Sequence, residues 1–182
     1  MINLIIFWFI SVPIVLLSWR TLLLPGSHGF YRFFSWECII WLFAFNYESW
    51  FKDPFSFLQI LSWLLLFLSV YLVVAGLILL QKKGKPDGNR KEDSLYPFEK
   101  TSVLIDSGIF KYIRHPLYSS LIFLTWGIFL KNPGFHLMFV AFISTAFLYL
   151  TARSDEKECL KFFGKEYEEY MKRSKMFIPF LI

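Results

Sequence analysis

Arg114, His115 and Tyr118 stand together in the run Arg114-His115-Pro116-Leu117-Tyr118, directly against an apolar segment long enough to enter a bilayer. An ionisable group at the edge of lipid is expensive to desolvate, which marks it as a candidate for chemistry. Read without chemistry, the same run is a basic headgroup anchor followed by a helix-starting proline. Further along, Asp155-Glu156 offers paired carboxylates, with Glu158 two residues on. Such acids can take an amino group or hydroxyls, while Arg114, His115 and the backbone amides opening the next helix can face a carboxylate. Phe110, Tyr112 and Tyr118 supply aromatic faces suited to a cation. Glu37 is a third acid, set inside an apolar run. It should face the bundle, neutral or paired with Arg32 or Arg20; acceptor binding or proton removal is its functional alternative.

These residues need a scaffold, and the composition says which kind. Of 182 residues, 56% are hydrophobic and 21% aromatic, more apolar surface than a soluble domain of this length can hide. The chain reads as an all-α integral membrane bundle of about five transmembrane helices: Ile2 to Leu24, Phe30 to Tyr47, Phe55 to Leu80, Leu117 to Leu130 and Gly134 to Thr151. The fourth is short, and Asn132-Pro133-Gly134 turns it at once into the fifth as a tight hairpin. The first lacks a basic leader and a small-residue cleavage site ahead of Arg20, so it is expected to be a retained helix rather than a signal peptide. With five spans, 17 of the 19 Lys and Arg fall on one side and only Lys52 and Lys131 on the other. That asymmetry places the N-terminus outside and the long loop and C-terminus in the cytoplasm. The net charge of +5 is then accounted for by anionic lipid headgroups, with no nucleic acid partner required.

Three N-terminal spans (1–81) are expected to precede a C-terminal functional region (82–182) made of a cytoplasmic loop, a helical hairpin and an amphipathic helix. The loop runs from Lys82 to Leu95 and is rich in charge and glycine, as a mobile connection would be. Ser154 to Lys172 alternates charges with apolar residues at helical spacing, broken near Gly164. This helix is expected to lie on the membrane or fold back over Arg114 to Tyr118, with Tyr167 and Tyr170 pinning it to the membrane surface. Cys38 and Cys159 have no metal-ligand or redox spacing and read as free thiols; no metal site is expected.

The ordered motifs Ser107-Gly108-Ile109-Phe110-Lys111-Tyr112-Ile113-Arg114-His115-Pro116-Leu117-Tyr118, then Gly127, Asp155-Glu156 and Phe163-Gly164-Lys165-Glu166-Tyr167-Glu168-Glu169-Tyr170, cover most of the C-terminal half. They resemble the isoprenylcysteine carboxyl methyltransferase and phospholipid methyltransferase superfamily. The resemblance implies an integral membrane enzyme that encloses S-adenosylmethionine and methylates a lipophilic acceptor at the membrane interface. It assigns the cofactor to Ser102, Val103, Leu104, Ile105, Phe110, Arg114, His115, Pro116, Leu117, Tyr118, Asp155 and Glu156, with Arg153 on the acceptor side; Glu37, outside the matched half, is the other candidate catalytic residue on its position in an apolar span alone. Two departures bear on the acceptor. Ser102-Val103-Leu104-Ile105 stands where the isoprenylcysteine enzymes carry His-x-Leu-Val, and Thr151 stands where they place an Arg four residues before the first acid, with Arg153 half a turn later. Prenylated cysteine is therefore a doubtful acceptor. The competing readings are a membrane reductase of the sterol-reductase type using NADPH, and a non-enzymatic lipid-binding membrane protein.

Overall fold

A computed structural model describes residues 1–84, 96 and 99–179, and all its extended regular elements are helices. Beyond Gly84, the expected loop to Leu95 lies outside the described residues. Five long helices and a short sixth follow one another: α1 (Ile2–Leu22), α2 (His28–Asn46), α3 (Phe57–Lys83), α4 (Pro116–Phe129), α5 (Phe135–Phe163) and α6 (Lys165–Arg173). Each expected span overlaps one of the first five helices. By length and composition, α1, α3 and α5 can each cross a membrane. α4 is a shorter apolar helix of 14 residues, and the 19-residue α2 carries both Arg32 and Glu37.

Local signals set the helix starts. The hydroxyls of Ser27 and Ser56 accept from Phe30 N and Gln59 N, capping α2 and α3. Pro116 opens α4, where its fixed φ suits the first turn and its missing N–H costs nothing.

The helices alternate up and down, as hydrogen bonds at both ends of the bundle show. At one end Ser154 Oγ donates to Gly26 O and His28 meets Glu158, joining α2 to the far end of α5. At the other, Asn46 Nδ2 donates to Ile128 O and Gln59 Nε2 to Lys131 O. Between them the core is built on Leu42, Leu66, Ile128, Phe129, Leu137 and Ala141. Where lipid removes the hydrophobic drive, close approach and interhelical hydrogen bonds do the joining. Ser144 of α5 bonds both Ser35 of α2 (2.9 Å) and Thr125 of α4 (3.1 Å). Gly127 lets α4 settle on α3, for a Cβ there would lie 2.9 Å from Leu66 Cδ2, and Ser62 Oγ donates to its carbonyl.

The fifth helix departs from expectation. It does not stop at Thr151 to be followed by a separate amphipathic helix; it runs unbroken for 29 residues to Phe163. Its buried stripe continues at three- and four-residue spacing from Leu137, Ala141, Ser144 and Leu148 through Thr151 and Ala152 to Glu156 and Cys159. No breaker occurs before Gly164, whose φ of 59° turns the chain into α6. Twenty-nine residues span about 44 Å, against roughly 30 Å of hydrocarbon. The last third of α5 therefore projects beyond the apolar bundle and carries its acids to one end.

Candidate functional site

At that end the N-termini of α2 and α4, the C-terminus of α3 and the projecting part of α5 converge, and α6 folds across them. The ends of α3 and α4, the projecting part of α5, α6 and the segment leading into α4 line a cavity of about 700 Å³, part of it open to solvent. Leu104, Ile105 and Phe110 form one wall, Arg114 to Tyr118 the floor and Asp155 the opposite side, so nine of the twelve expected cofactor residues line it.

The floor is held by the chain's own C-terminal segment. After α6, Arg114 N donates to Lys175 O, His115 N to Met176 O, and Ser119 Oγ to Phe177 O. Arg114 completes this clamp: its guanidinium lies 2.8 Å from Glu156 Oε1 and also donates to the carbonyls of Met171 and Ser174. It lines the cavity, yet most of its donors are turned to protein. His115 is different. Its ring stacks on Tyr118 at 5.3 Å, its Nδ1 lies 3.4 Å from Asp155, and its buried Nε2, 3.6 Å from Glu156, has no hydrogen-bond partner. Burial alone would lower the His115 pKa, but Asp155 and Glu156 outweigh it and raise it, favouring the imidazolium.

A second cluster lies alongside. His28, the buried first residue of α2, gives Nδ1 to Glu158 at 2.8 Å and sets Nε2 3.9 Å from Glu99, which pairs with Arg32. Burial lowers the His28 pKa, but Glu158 and Glu99 raise it to about 9. Burial lifts the Glu99 pKa while Arg32 and His28 bring it below the ordinary value, so the cluster balances two cations against two anions. The guanidinium of Arg32 also lies over the rings of Tyr96 (4.6 Å) and Trp36 (5.2 Å). His28, Asp155 and Glu158 could together reach one metal ion, but the protonated His28–Glu158 pair already accounts for their approach.

Beyond Arg32 lies another cavity, about 750 Å³ with the open space at its mouth included, walled mostly by apolar side chains of α1, α2, α3 and α4. It shares Glu99, Leu117 and Tyr118 with the first.

The remaining expected site residues lie elsewhere. Ser102 and Val103 are off the cavity wall, Val103 being exposed. Glu156 stands behind the wall, holding Arg114 and His115. Arg153 is half exposed and reaches Glu156 at 3.5 Å. Glu37 lines neither cavity and pairs with neither Arg32 nor Arg20: it lies about 140° round α2 from Arg32, which pairs with Glu99, and accepts from Ser11 Oγ of α1 at 2.6 Å. Tyr167 and Tyr170 also differ from expectation. Rather than pinning α6 to a membrane surface, they are buried in the cavity wall, and the Tyr170 hydroxyl donates to Phe110 O. Burial pushes both phenols up, so they stay protonated.

Glu99 and His28 are the site residues the sequence reading missed. A histidine at the edge of an apolar span needs a partner for the same reason as His115, and that signal was present in Ser27-His28-Gly29. Glu99 had no comparable pattern around it.

The arrangement has relatives. The phospholipid methyltransferase family model matches residues 57–166, which carry α3, α4, the floor of the first cavity and the acids of α5. The chain belongs to this family. Methanethiol S-methyltransferase 1 of Bradyrhizobium diazoefficiens is 32% identical over 39% of the chain and 24% of its own length. Protein-S-isoprenylcysteine O-methyltransferase of Homo sapiens is 33% identical over 44% of the chain and 29% of its own. A methanethiol S-methyltransferase of a Pseudomonas species is 29% identical over 75% of the chain and 50% of its own. The chain thus spans a quarter to a half of the length of these relatives. No solved structure matches it.

Proposed function

We propose that the chain is an integral membrane methyltransferase that binds S-adenosylmethionine in the first cavity and methylates a lipophilic acceptor reaching it from the bilayer. The observation that carries this reading is the cavity's donor set. Asp155 and Glu99 line it with carboxylate oxygens that, besides their protein partners, can accept from an amino group or ribose hydroxyls, and the unpartnered His115 Nε2 and the first amides of α4 suit a carboxylate. Phe110, Phe163 and Tyr167 give aromatic faces for an adenine or a sulfonium. Arg114 and Glu156, expected to touch the cofactor, instead keep this floor in place.

S-adenosylmethionine, when bound, supplies an electrophilic methyl group on a sulfonium. Transfer is a displacement in which the acceptor's lone pair forms the new bond to carbon as the carbon–sulfur bond breaks and its pair returns to sulfur. The protein's part is alignment and exclusion of water, which the C-terminal clamp and the lid of α6 can provide.

The membrane arrangement belongs to the same proposal. Five spans would put 17 of the 19 Lys and Arg, and the first cavity, on the cytoplasmic side. Cysteines introduced at Lys82 and Glu168 should then be labelled only from that side.

Relatives act on methanethiol and on prenylated cysteine, by their names. The second cavity favours the neutral kind of acceptor, since Arg32, the cation on its described wall, is already paired with Glu99.

Calorimetry on the purified chain in nanodiscs should show binding of S-adenosylhomocysteine and none of NADPH. His115→Ala should weaken it about ten- to a hundredfold, the worth of one hydrogen bond to a charged group. Preferential binding of NADPH would support a membrane reductase, and binding of neither would leave a lipid-binding protein.

A further inference from the structure

We infer that the second cavity is an acceptor chamber for a small, uncharged, apolar molecule whose one polar group is a proton-bearing nucleophile of the thiol or phenol class, and that the Arg32–Glu99 pair on its wall excludes carboxylates. The inference rests on the methyltransferase reading and extends it to substrate selection.

Position is the first argument. Ile14 and Leu17 of α1, Trp36 of α2, Val73 of α3 and Leu121 of α4 give the chamber apolar sides. They lie on helices whose adjoining residues Leu16, Val70 and Val74 are exposed, as lipid-facing residues are. Glu99, Leu117 and Tyr118 belong to both cavities, so the chamber adjoins the donor site at these three side chains.

Charge is the second. A carboxylate brought into an apolar chamber needs a cation or several donors to replace its hydration. Arg32 cannot serve. Its guanidinium is ion-paired to Glu99 and held over Tyr96 and Trp36. A carboxylate entering beside that pair meets the anion of Glu99 as closely as the cation. A thiol or phenol brings no charge to compensate and can donate its proton toward Glu99.

The same geometry serves the reaction. As the neutral acceptor's lone pair forms the bond to the methyl carbon, its own S–H or O–H becomes strongly acidic. Even a carboxylate held below its ordinary pKa, as Glu99 is by Arg32 and His28, can take that proton and pass it to water. The products are the methylated acceptor and the thioether of the spent donor, with one proton released.

The test uses the full chain in lipid nanodiscs with two photoprobes of equal length, a diazirine-bearing decanethiol and the matching decanoate. The thiol should label peptides carrying Trp36 and Leu121 at least about tenfold more than the decanoate, the ratio expected when one buried charge lacks a partner. Val73→Trp, which fills the chamber, should abolish that labelling and raise the thiol's KM while leaving S-adenosylhomocysteine affinity unchanged. Glu99→Gln frees the Arg32 cation, so it should shift labelling toward the decanoate, an effect a merely structural role would not produce. Equal labelling by both probes, labelling insensitive to Val73→Trp, or an unchanged preference in Glu99→Gln would overturn the inference. Failure of S-adenosylhomocysteine to bind the wild type would instead remove the methyltransferase reading.

Discussion

Replacing Glu156 by Ala should cost more stability than any other single change in the candidate site. Its carboxylate is 2% exposed and faces three cations: Arg114 at 2.8 Å, His115 at 3.6 Å and Arg153 at 3.5 Å. Arg153 is half exposed and regains water, so its loss counts for little. The other two are buried. His115 keeps Asp155, but Arg114 keeps only the carbonyls of Met171 and Ser174, which leaves a nearly dry guanidinium without its counter-charge. Breaking a buried pair by removing one partner costs about 3–5 kcal/mol, chiefly the penalty of the stranded charge. The double variant Arg114→Met/Glu156→Leu removes both charges and keeps the volume, so it should recover a large part of that loss. The costs of the singles Arg114→Met and Glu156→Leu should together exceed that of the double by about 1–3 kcal/mol, the coupling typical of residues in contact. Equilibrium unfolding in mixed micelles measures these three variants alongside Glu156→Ala. A wild-type midpoint for Glu156→Ala, or a double variant as unstable as the sum of the singles, would show that the floor is not held by this pair.

Gly127→Leu should destabilise by about 1–3 kcal/mol, because even its Cβ would sit 2.9 Å from Leu66 and force α4 off α3; micelle unfolding against Gly127→Ala gives the graded comparison. Lys131→Met should lose about 1–3 kcal/mol by the same measurement, since it strands Gln59 Oε1, 3.0 Å from the ammonium, and removes the cation 3.7 Å from the Trp63 ring. His28 has a pKa raised from 6.5 to about 9, so its stabilising contribution is complete below pH 6.5 and disappears as pH rises through about 9. The unfolding midpoint should fall across that window in the wild type and stay flatter in His28→Gln.

The helices were legible because each rests on local information. Membrane-length apolar runs, capping serines at Ser27 and Ser56, and Pro116 at a helix start fix where α2, α3 and α4 begin. The end of α5 was not, for a hydropathy reading stops where charges appear. Asp155, Glu156 and Lys157 end an apolar run without ending a helix; only a change of backbone conformation does that, and Gly164 is the first residue to provide one. The same error misplaced Tyr167 and Tyr170. A helix thought to begin at Ser154 was free to lie on a membrane, whereas one hinged at Gly164 must fold back, burying both rings beside Phe110.

Within the site, the sequence located residues but could not rank them, since proximity in a motif does not say which way a side chain turns. Arg114 and His115 are neighbours, yet the first is spent on Glu156 and the C-terminal carbonyls while the second keeps Nε2 free of hydrogen bonds in the cavity wall. The difference comes from residues 174–177, which lie beside this segment in space and far from it in the chain. Glu99 makes the same point for the second cavity. It was inconspicuous because its partners, Arg32 and His28, are some seventy residues away, and a pairing across that distance leaves no periodicity to read. With Arg32 taken by Glu99, the described wall of the second cavity has no unpaired cation to offer a carboxylate. Glu37, five residues further along α2 and turned to another face, meets the neutral donor Ser11 instead. On the proposed reading, this one long-range ion pair bears on which charge of acceptor the neighbouring cavity would hold.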